Sequence, residues 1–334
     1  MRIRARRKPD IDGPTTMSLP RTINGTVIDD TFAEAFPMKA TRLVITAHTP
    51  IWARHAANAL AGFATSVIGC GCEAGIERDW HADETPDGRP GVSVLLFAVS
   101  TKELAKQLER RVGQCVLTCP TTAVYAGIDA ATSAAPLSDD AGIGSRLRFF
   151  GDGWQIAKMI DDKRYWRVPV MDGEFLCADT VPTVKAVGGG NLLLLGEHID
   201  ATLAATEAAV AAMRKLQNVI LPFPGGIVRS GSKVGSKYAG ATASTNDAFC
   251  PTLIGLSAKS ELTADVGCVL EIVIDGLTEA DVGAAMTAGI AAATALGRPA
   301  GVVRISAGNY GGKLGPYHFP LHRLSEGIEG SRTP

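Results

Sequence analysis

The 334-residue sequence predicts an α+β fold of two similar halves, each a split pair of β-α-β units on an antiparallel sheet. Three observations carry this prediction. Short apolar strands alternate with stretches whose apolar residues recur at helical spacing. The order strand, helix, strand occurs twice in each half. The alternative, a doubly wound parallel sheet, would need a phosphate-binding GxGxxG turn after an early strand, and no strand-to-helix turn in the sequence contains one.

The first half begins with an apolar strand at Leu43 to Thr46. Thr49 then stands at the cap of a helix opening on Pro50, where the missing N–H does no harm. Trp52, Ala56 and Leu60 recur at helical spacing, Gly62 ends the helix, and Ser66 to Ile68 reads as a strand. The pattern repeats with a near-continuous apolar strand at Val92 to Val99. Ser100-Thr-Lys-Glu103 then has the form of a capping box, Leu104, Leu108 and Val112 form a stripe, and Gly113 stops the helix before a strand at Cys115 to Leu117. The second half runs in parallel. It has a strand at Asn191 to Leu195, a helix lined by Ile199, Leu203, Val210 and Met213, and a strand at Val219 to Leu221. It continues with a strand at Val266 to Ile274, a helix opened by the box Thr278-Glu-Ala-Asp281 with Val282, Met286 and Ile290 on its stripe, and a strand at Val302 to Ile305. A split pair of β-α-β units on one antiparallel sheet is the ferredoxin-like arrangement, so the expectation is two ferredoxin-like lobes. Their expected limits are residues 22–148 and 149–324, with Ala131 to Gly144 as a polar surface excursion.

Hydrophobic residues make up 46% of the chain and charged residues 20%, with a net charge of −1. No strong field favours nucleic acid or a membrane surface, and no basic and aromatic residues interleave as in a nucleic-acid groove. No apolar run is long enough to span a bilayer. Arg2, Arg4, Arg6, Arg7 and Lys8 precede no apolar stretch, so residues 1–21 read as a disordered basic extension rather than a secretory signal. Residues 325–334 read as a flexible tail. Seven scattered cysteines suit reduced thiols in the cytoplasm. Cys70-Gly-Cys72 and Cys115-x-x-x-Cys119 lack paired-hook spacing and a completing histidine, so no metal site is expected.

The residue that stands out chemically is Glu271, inside the apolar strand Cys268-Val-Leu-Glu-Ile-Val-Ile274. A desolvated carboxyl there holds its proton to higher pH, which suits a general acid or base. The alternative is that strand alternation turns Glu271 to water together with Asp275. The longest loop, Phe223 to Gly235, carries Gly225, Gly226 and Gly231, which allow close backbone approach to an anionic or carbonyl group, and Lys233 and Lys237 add positive charge. The turns Ser244-Thr-Asn-Asp247 and Pro120-Thr-Thr122 supply hydroxyl and amide groups, with helix caps and Asx turns as the plainer reading. Phe149-Phe-Gly-Asp-Gly153 is a rigid turn cluster opening the link between the halves. The six histidines show no HExxH spacing, and no Gly-x-Ser-x-Gly elbow offers a nucleophilic serine.

These blocks resemble a known family. Ile23-Asn-Gly, Asp30-Thr-Phe-Ala-Glu-Ala-Phe36, Glu84 to Gly91, Gly113-Gln-Cys-Val116, Phe149 to Gly153, Pro222 to Val228, Ser232-Lys-Val-Gly235, Ser244 to Asp247 and Ile305-Ser-Ala-Gly-Asn309 are similar, in order, to formylmethanofuran–tetrahydromethanopterin formyltransferases. The resemblance runs from about Ile23 to Leu324. It implies transfer of a formyl group between the amine of methanofuran, or an analogue, and N5 of tetrahydromethanopterin, both as co-substrates, with no tightly bound cofactor. It implies Glu271 as the acid/base carboxyl, matched by strand context, and substrate contacts from Gly225, Gly226, Ser232, Lys233, Ser244, Asn246 and Asp152; Thr121, in the Pro120-Thr-Thr122 turn, is a further candidate contact. It also implies homo-oligomers, a tetramer being expected, and, by analogy with similar bacterial chains, a place in a formyltransferase/hydrolase complex. A non-catalytic, pterin-binding scaffold protein is the competing reading.

Overall fold

The computed structural model describes residues 20–129, 133–241 and 243–328. The first half is built from β1 (Phe32–Thr46), α1 (Pro50–Ala61), β2 (Cys72–Trp80), β3 (Gly91–Ala98), α2 (Thr101–Arg111) and β4 (Ala123–Ala126). The second is built from β5 (Val184–Gly196), α3 (Ile199–Met213), β6 (Val219–Ile220), β7 (Cys268–Gly276), α4 (Glu279–Leu296) and β8 (Val302–Ser306). The four strands of the first half lie in the order β4-β1-β3-β2, and those of the second in the order β8-β5-β7-β6. Every neighbouring pair within each set is antiparallel. The whole is a mixed α/β fold on one large sheet, because the beginning of β5 also pairs with the middle of β1, from Val184 opposite Ala40 to Gly188 opposite Phe36.

The helix starts follow their expected caps. Ser100 Oγ accepts from the Glu103 N–H and Thr278 Oγ1 from the Asp281 N–H, each satisfying one donor of a first turn. Leu104, Leu108 and Val112 are fully buried, as are Val282, Met286 and Ile290. On α3 the expected stripe is wrong at two positions: Ile199 and Leu203 are 53% and 37% exposed, and Ala201, Ala205, Ala209 and Met213 face inward instead. Helix α3 packs against α4 through small residues, so closely that a Cβ at Gly289 would lie 2.1 Å from the Met213 methyl. Bulky side chains are excluded from such a contact and fall outside it.

Two expected strands are helical turns. Ser66 Oγ accepts from the Ile68 N–H and opens a turn at Val67–Cys70, closed by Gly71 at φ +79°, and β2 begins only at Cys72. Gly113 does not stop α2: the chain continues as a π turn over Val112–Val116, with the Leu117 N–H on the Val112 carbonyl at 2.9 Å. Burial of Val112 and Val116 in the first core satisfies a helical turn as well as it would a strand. The expected excursion before Gly144 is less polar than it reads. Residues 130–132 lie outside the described residues, but Ala135, Ala141 and Ile143 are buried, and Ala141–Gly142 pairs with Thr180–Val181. A meander of Ile156–Ile160, Lys163–Val170 and Gly173–Ala178 continues the sheet beyond β4. Tyr165, Val168, Phe175 and Cys177, counted by sequence with the second half, pack in the first core. Most of the basic extension lies outside the described residues, although Arg21 begins a short strand that extends to Ile23. Of the tail, residues 329–334 lie outside, while Ser325 is buried.

The halves meet over a small core that includes Met38, Leu95, Phe97, Val184 and Ile220. At its margin Arg42 pairs with Glu77 at 2.7 Å and donates to Asn218 of the second half. Here too the carboxyls of Glu73 of β2 and Asp275 of β7 are buried beside one another, Glu73 accepting from the Val67 N–H and Asp275 from the Gly189 N–H. Desolvation raises both carboxyls, and Asp275 lies well above its ordinary value, further raised by Glu73 beside it. The alternative that turned Asp275 to water therefore fails. Among the described residues no helix is long and apolar enough to cross a membrane.

Candidate active site

Strand alternation decides where Glu271 goes. Leu192, Leu194, Ile272, Ile274 and Ile305 belong to the core beneath α3 and α4. Leu193, Leu195, Val269 and Val303 form a cluster on the other face. Glu271 stands opposite Leu193 in the ladder and shares that second face. The face is largely closed to water, leaving Glu271 partly exposed, because the excursion between β6 and β7 folds over it. The loop after Gly226 bridges back onto β7, the Val228 N–H donating to the Glu271 carbonyl at 2.7 Å and the Glu271 N–H to the Val228 carbonyl at 2.9 Å.

The two glycines before this bridge serve the turn. Gly225 and Gly226 have φ of +68° and +85°, and a Cβ on Gly226 would press on Val210 and Leu221 at 3.2 Å. Beyond the bridge, Ser232–Val234 and Ala243–Thr245 form a hairpin with Lys233 opposite Ser244. Ser244 Oγ donates to the Gly235 carbonyl at 2.7 Å. Asn246 follows, its N–H on the Gly231 carbonyl.

No cation and no hydrogen-bond donor holds the Glu271 carboxyl among the described residues. Desolvation alone pushes it from the ordinary 4.5 up to about 7. Glu271 lines a narrow recess with Val228, Arg229, Asn246, Phe249 and Cys250. Asn246 and Phe249 also line an adjoining cleft of about 640 Å³, whose other walls include Lys233, Arg304, Asn309 and Tyr310. Arg304 is held there by Asp29 at 3.6 Å and by the Glu261 carbonyl at 2.7 Å. Lys233 is ion-paired with Asp247, which also accepts from Ser257 Oγ at 3.1 Å. A second hollow of about 580 Å³ behind the hairpin is lined by Lys233, Lys237, Lys259 and Ser244.

Gly225, Gly226, Ser232, Lys233, Ser244 and Asn246 thus lie on the one excursion that covers Glu271. Asp152 and Thr121 lie elsewhere. Asp152 follows the turn Arg148–Gly151 at φ +49°, and Thr121, at φ +65°, donates its N–H to Asp172 at 2.6 Å. Thr121 adjoins a separate apolar hollow lined by Pro120, Phe150, Met171 and Asp172. Arg304, Phe249 and Tyr310 were not singled out by sequence. Only the block ending at Asn309 pointed toward Tyr310. Among the described residues no group of three His, Cys, Asp or Glu is placed to hold a metal ion.

The family model described as formylmethanofuran-tetrahydromethanopterin formyltransferase matches residues 21–170, and a companion model for the proximal lobe of the same enzyme matches residues 173–324. The chain belongs to this family. Among similar proteins, the formylmethanofuran–tetrahydromethanopterin formyltransferase of Methylobacillus flagellatus is 62% identical over 302 residues, covering 90% of this chain and 99% of the relative. A component of the formyltransferase/hydrolase complex of Methylorubrum extorquens is 53% identical over 311 residues, covering 91% and 97%. The crystal structure of that complex with methylofuran superposes with a TM-score of 0.87 at 52% identity, covering 93% of this chain and all of the matched one. The formyltransferase of Methanosarcina barkeri gives 0.83 at 47% identity, covering 91% and 100%.

Proposed function

We propose that this formyltransferase-family chain moves a formyl group between the amine of methanofuran, or an analogue, and N5 of tetrahydromethanopterin, with Glu271 as the acid/base group. The observation that carries the reading is the isolated carboxyl of Glu271, desolvated and unpaired beside a cleft, on a chain matched along its length to enzymes of this name.

Transfer from an amide to an amine begins when the attacking nitrogen adds to the formyl carbon and the carbonyl oxygen becomes an oxyanion. The attacking nitrogen must then lose a proton, and the leaving amine must gain one before the C–N bond breaks. A carboxyl that titrates near 7 does both, since it is half protonated at neutral pH and changes state at little cost. Its acid form would also be the better neighbour for an oxyanion. Both carriers are substrates, and no resident cofactor is invoked.

Substrate contacts are assigned to Gly225, Gly226, Ser232, Lys233, Ser244 and Asn246 from their place on the covering excursion, to Asp152 by resemblance alone, and to Thr121 from the polar groups of its turn alone. The strand orders β4-β1-β3-β2 and β8-β5-β7-β6, with helices between alternate strands, support reading each half as a ferredoxin-like lobe. The first lobe would carry the meander through Val181, and the second would run to 324 and take in Ile23, Ile28, Ala33 and Ala35 from the beginning of the chain. Phe149, Phe150, Trp154, Ile156, Met159 and Met171 are all exposed, which supports a homo-oligomer, a tetramer by resemblance. Partnership with hydrolase subunits rests on the Methylorubrum relative. Seven free cysteines support a reducing, cytoplasmic setting.

The test is a spectrophotometric assay of the purified chain with formylmethanofuran and tetrahydromethanopterin. Formation of formyl-tetrahydromethanopterin supports the reading, and its absence with both carriers bound would return the chain to the scaffold alternative.

A further inference from the structure

Among the described residues Glu34 is a carboxylate with no cation paired to it. It lies on β1, is 1% exposed, and yet sits only one loop deep beneath the surface. The loop that covers it runs from Asn309 to Gly315. Glu34 Oε2 accepts the N–H groups of Tyr310 at 2.8 Å and Gly312 at 3.0 Å, and Oε1 accepts those of Leu314 and, at 2.9 Å, Gly315. Gly311 and Gly312 have φ of +75° and +69°, a left-handed run that turns successive N–H groups inward to form a nest. At Gly315 the loop passes so close to β1 that a Cβ would fall 2.0 Å from the Ala35 carbonyl oxygen. Burial by itself would raise the Glu34 carboxyl. The N–H donors of Gly315, Tyr310, Leu314 and Gly312 outweigh it and hold the group below its ordinary value, so it is ionised at neutral pH.

The same loop carries Tyr310 on the wall of the 640 Å³ cleft. Its hydroxyl lies 3.4 Å from the Ser232 carbonyl, a long and weak contact that leaves the proton available to another acceptor. Burial raises the phenol, and the negative charges of Glu271 and Glu34 raise it further, so Tyr310 stays a donor. The cleft that Tyr310 lines shares Asn246 and Phe249 with the recess that holds Glu271.

We propose that Glu34 is a positioning residue of the transfer site: it gathers the Asn309–Gly315 loop and so holds the Tyr310 hydroxyl in the cleft that adjoins the Glu271 recess, as a hydrogen-bond donor to the oxygen of the transferring formyl group. The inference rests on the formyl-transfer reading of this site. It assigns a role to a buried charge and a Gly-rich loop that the acid/base chemistry of Glu271 leaves unexplained. A donor to the developing oxyanion contributes to turnover more than to ground-state binding.

The experiment is a double-mutant cycle in the intact chain with Glu34→Gln, Tyr310→Phe and the pair, combined with amide hydrogen exchange. Gln presents one acceptor oxygen where the carboxylate has two, so exchange at Tyr310, Gly312, Leu314 and Gly315 should accelerate while β5 and β7 stay protected. Each single variant should lose about tenfold or more in kcat with KM changed by less than about threefold, on the scale of a lost oxyanion donor. The pair should lose little more than either alone. Losses that multiply, a Tyr310→Phe enzyme of normal kcat, or unchanged exchange in Glu34→Gln would each overturn the inference. A purely structural Glu34 would lower activity and thermal stability together and show no coupling to Tyr310. A wild-type chain that transfers no formyl group would instead sink the reading of the site, and the inference with it.

Discussion

Replacing Glu271 by Gln keeps the shape of the side chain and removes its proton exchange, so kinetics and stability should move in opposite directions. The carboxyl titrates at about 7 in the folded chain against 4.5 in the open. Below about pH 4.5 both states are protonated and the group contributes nothing to stability. Between 4.5 and 7 the unfolded chain ionises first, and the folded state loses ground as pH rises. Above 7 the loss levels off at about 3 kcal/mol, taking ~1.4 kcal/mol per tenfold step in proton affinity. The Gln variant escapes this cost. Its melting temperature should match the wild type near pH 4.5 and exceed it at pH 8, by several degrees if ~1 kcal/mol moves a domain of this size by about 2–4 °C. Its kcat should fall by about 10²-fold or more, with KM little changed. The assay is steady-state formyl transfer beside thermal melts at both pH values. A near-normal kcat would remove Glu271 from proton transfer. An equal melt at pH 8 would mean that the carboxyl is hydrated and that desolvation does not tune it.

Lys233→Ala should raise KM for the carriers modestly, by an amount worth about 0.2–1 kcal/mol that shrinks in high salt, because the lysine is already paired with Asp247 and is about one-third exposed; an unchanged KM at low salt would assign it to the hairpin alone. Asp275→Asn should flatten the fall in stability that sets in as pH rises above about 4, since both Asp275 and Glu73 are raised in the folded state and the unfolded chain ionises first. Urea midpoints between pH 5 and 9 read this slope, and a wild-type chain whose midpoint stays level there would refute the raised carboxyl pair. In light scattering the purified chain should behave as an oligomer, and Trp154→Glu together with Ile156→Glu should dissociate it if the exposed apolar margin of the meander is the contact; an active, compact monomeric wild type would refute the expectation.

Local signals sufficed wherever neighbours in sequence are neighbours in space. The caps at Ser100 and Thr278, Pro50 as the first residue of α1, and the fully buried stripes Leu104–Leu108–Val112 and Val282–Met286–Ile290 all follow from i, i+3 and i+4 geometry. So does the isolation of Glu271 within an apolar strand, which made it the leading chemical candidate. Where apolar triplets were short, period alone could not separate strand from helix. Cys115 to Leu117 became a π turn because the first core accepts Val112 and Val116 from either conformation. Ile199 and Leu203 faced outward because α3 and α4 approach over small residues, a property of the pair and not of either helix.

The sequence by itself determined the helices, six of the eight expected strands, the family blocks and the lone carboxyl, since these are properties of residues and their spacing. Only the tertiary structure decided that the second face of β7 is roofed by the excursion, which is what desolvates the partly buried Glu271 carboxyl. It alone brought Asp275 against Glu73 and the Tyr310 loop onto Glu34, partners separated by some 200 to 280 residues. Those contacts depend on the pairing of β5 with β1 and the closure of one half on the other, and no short-range pattern encodes a meeting at that separation.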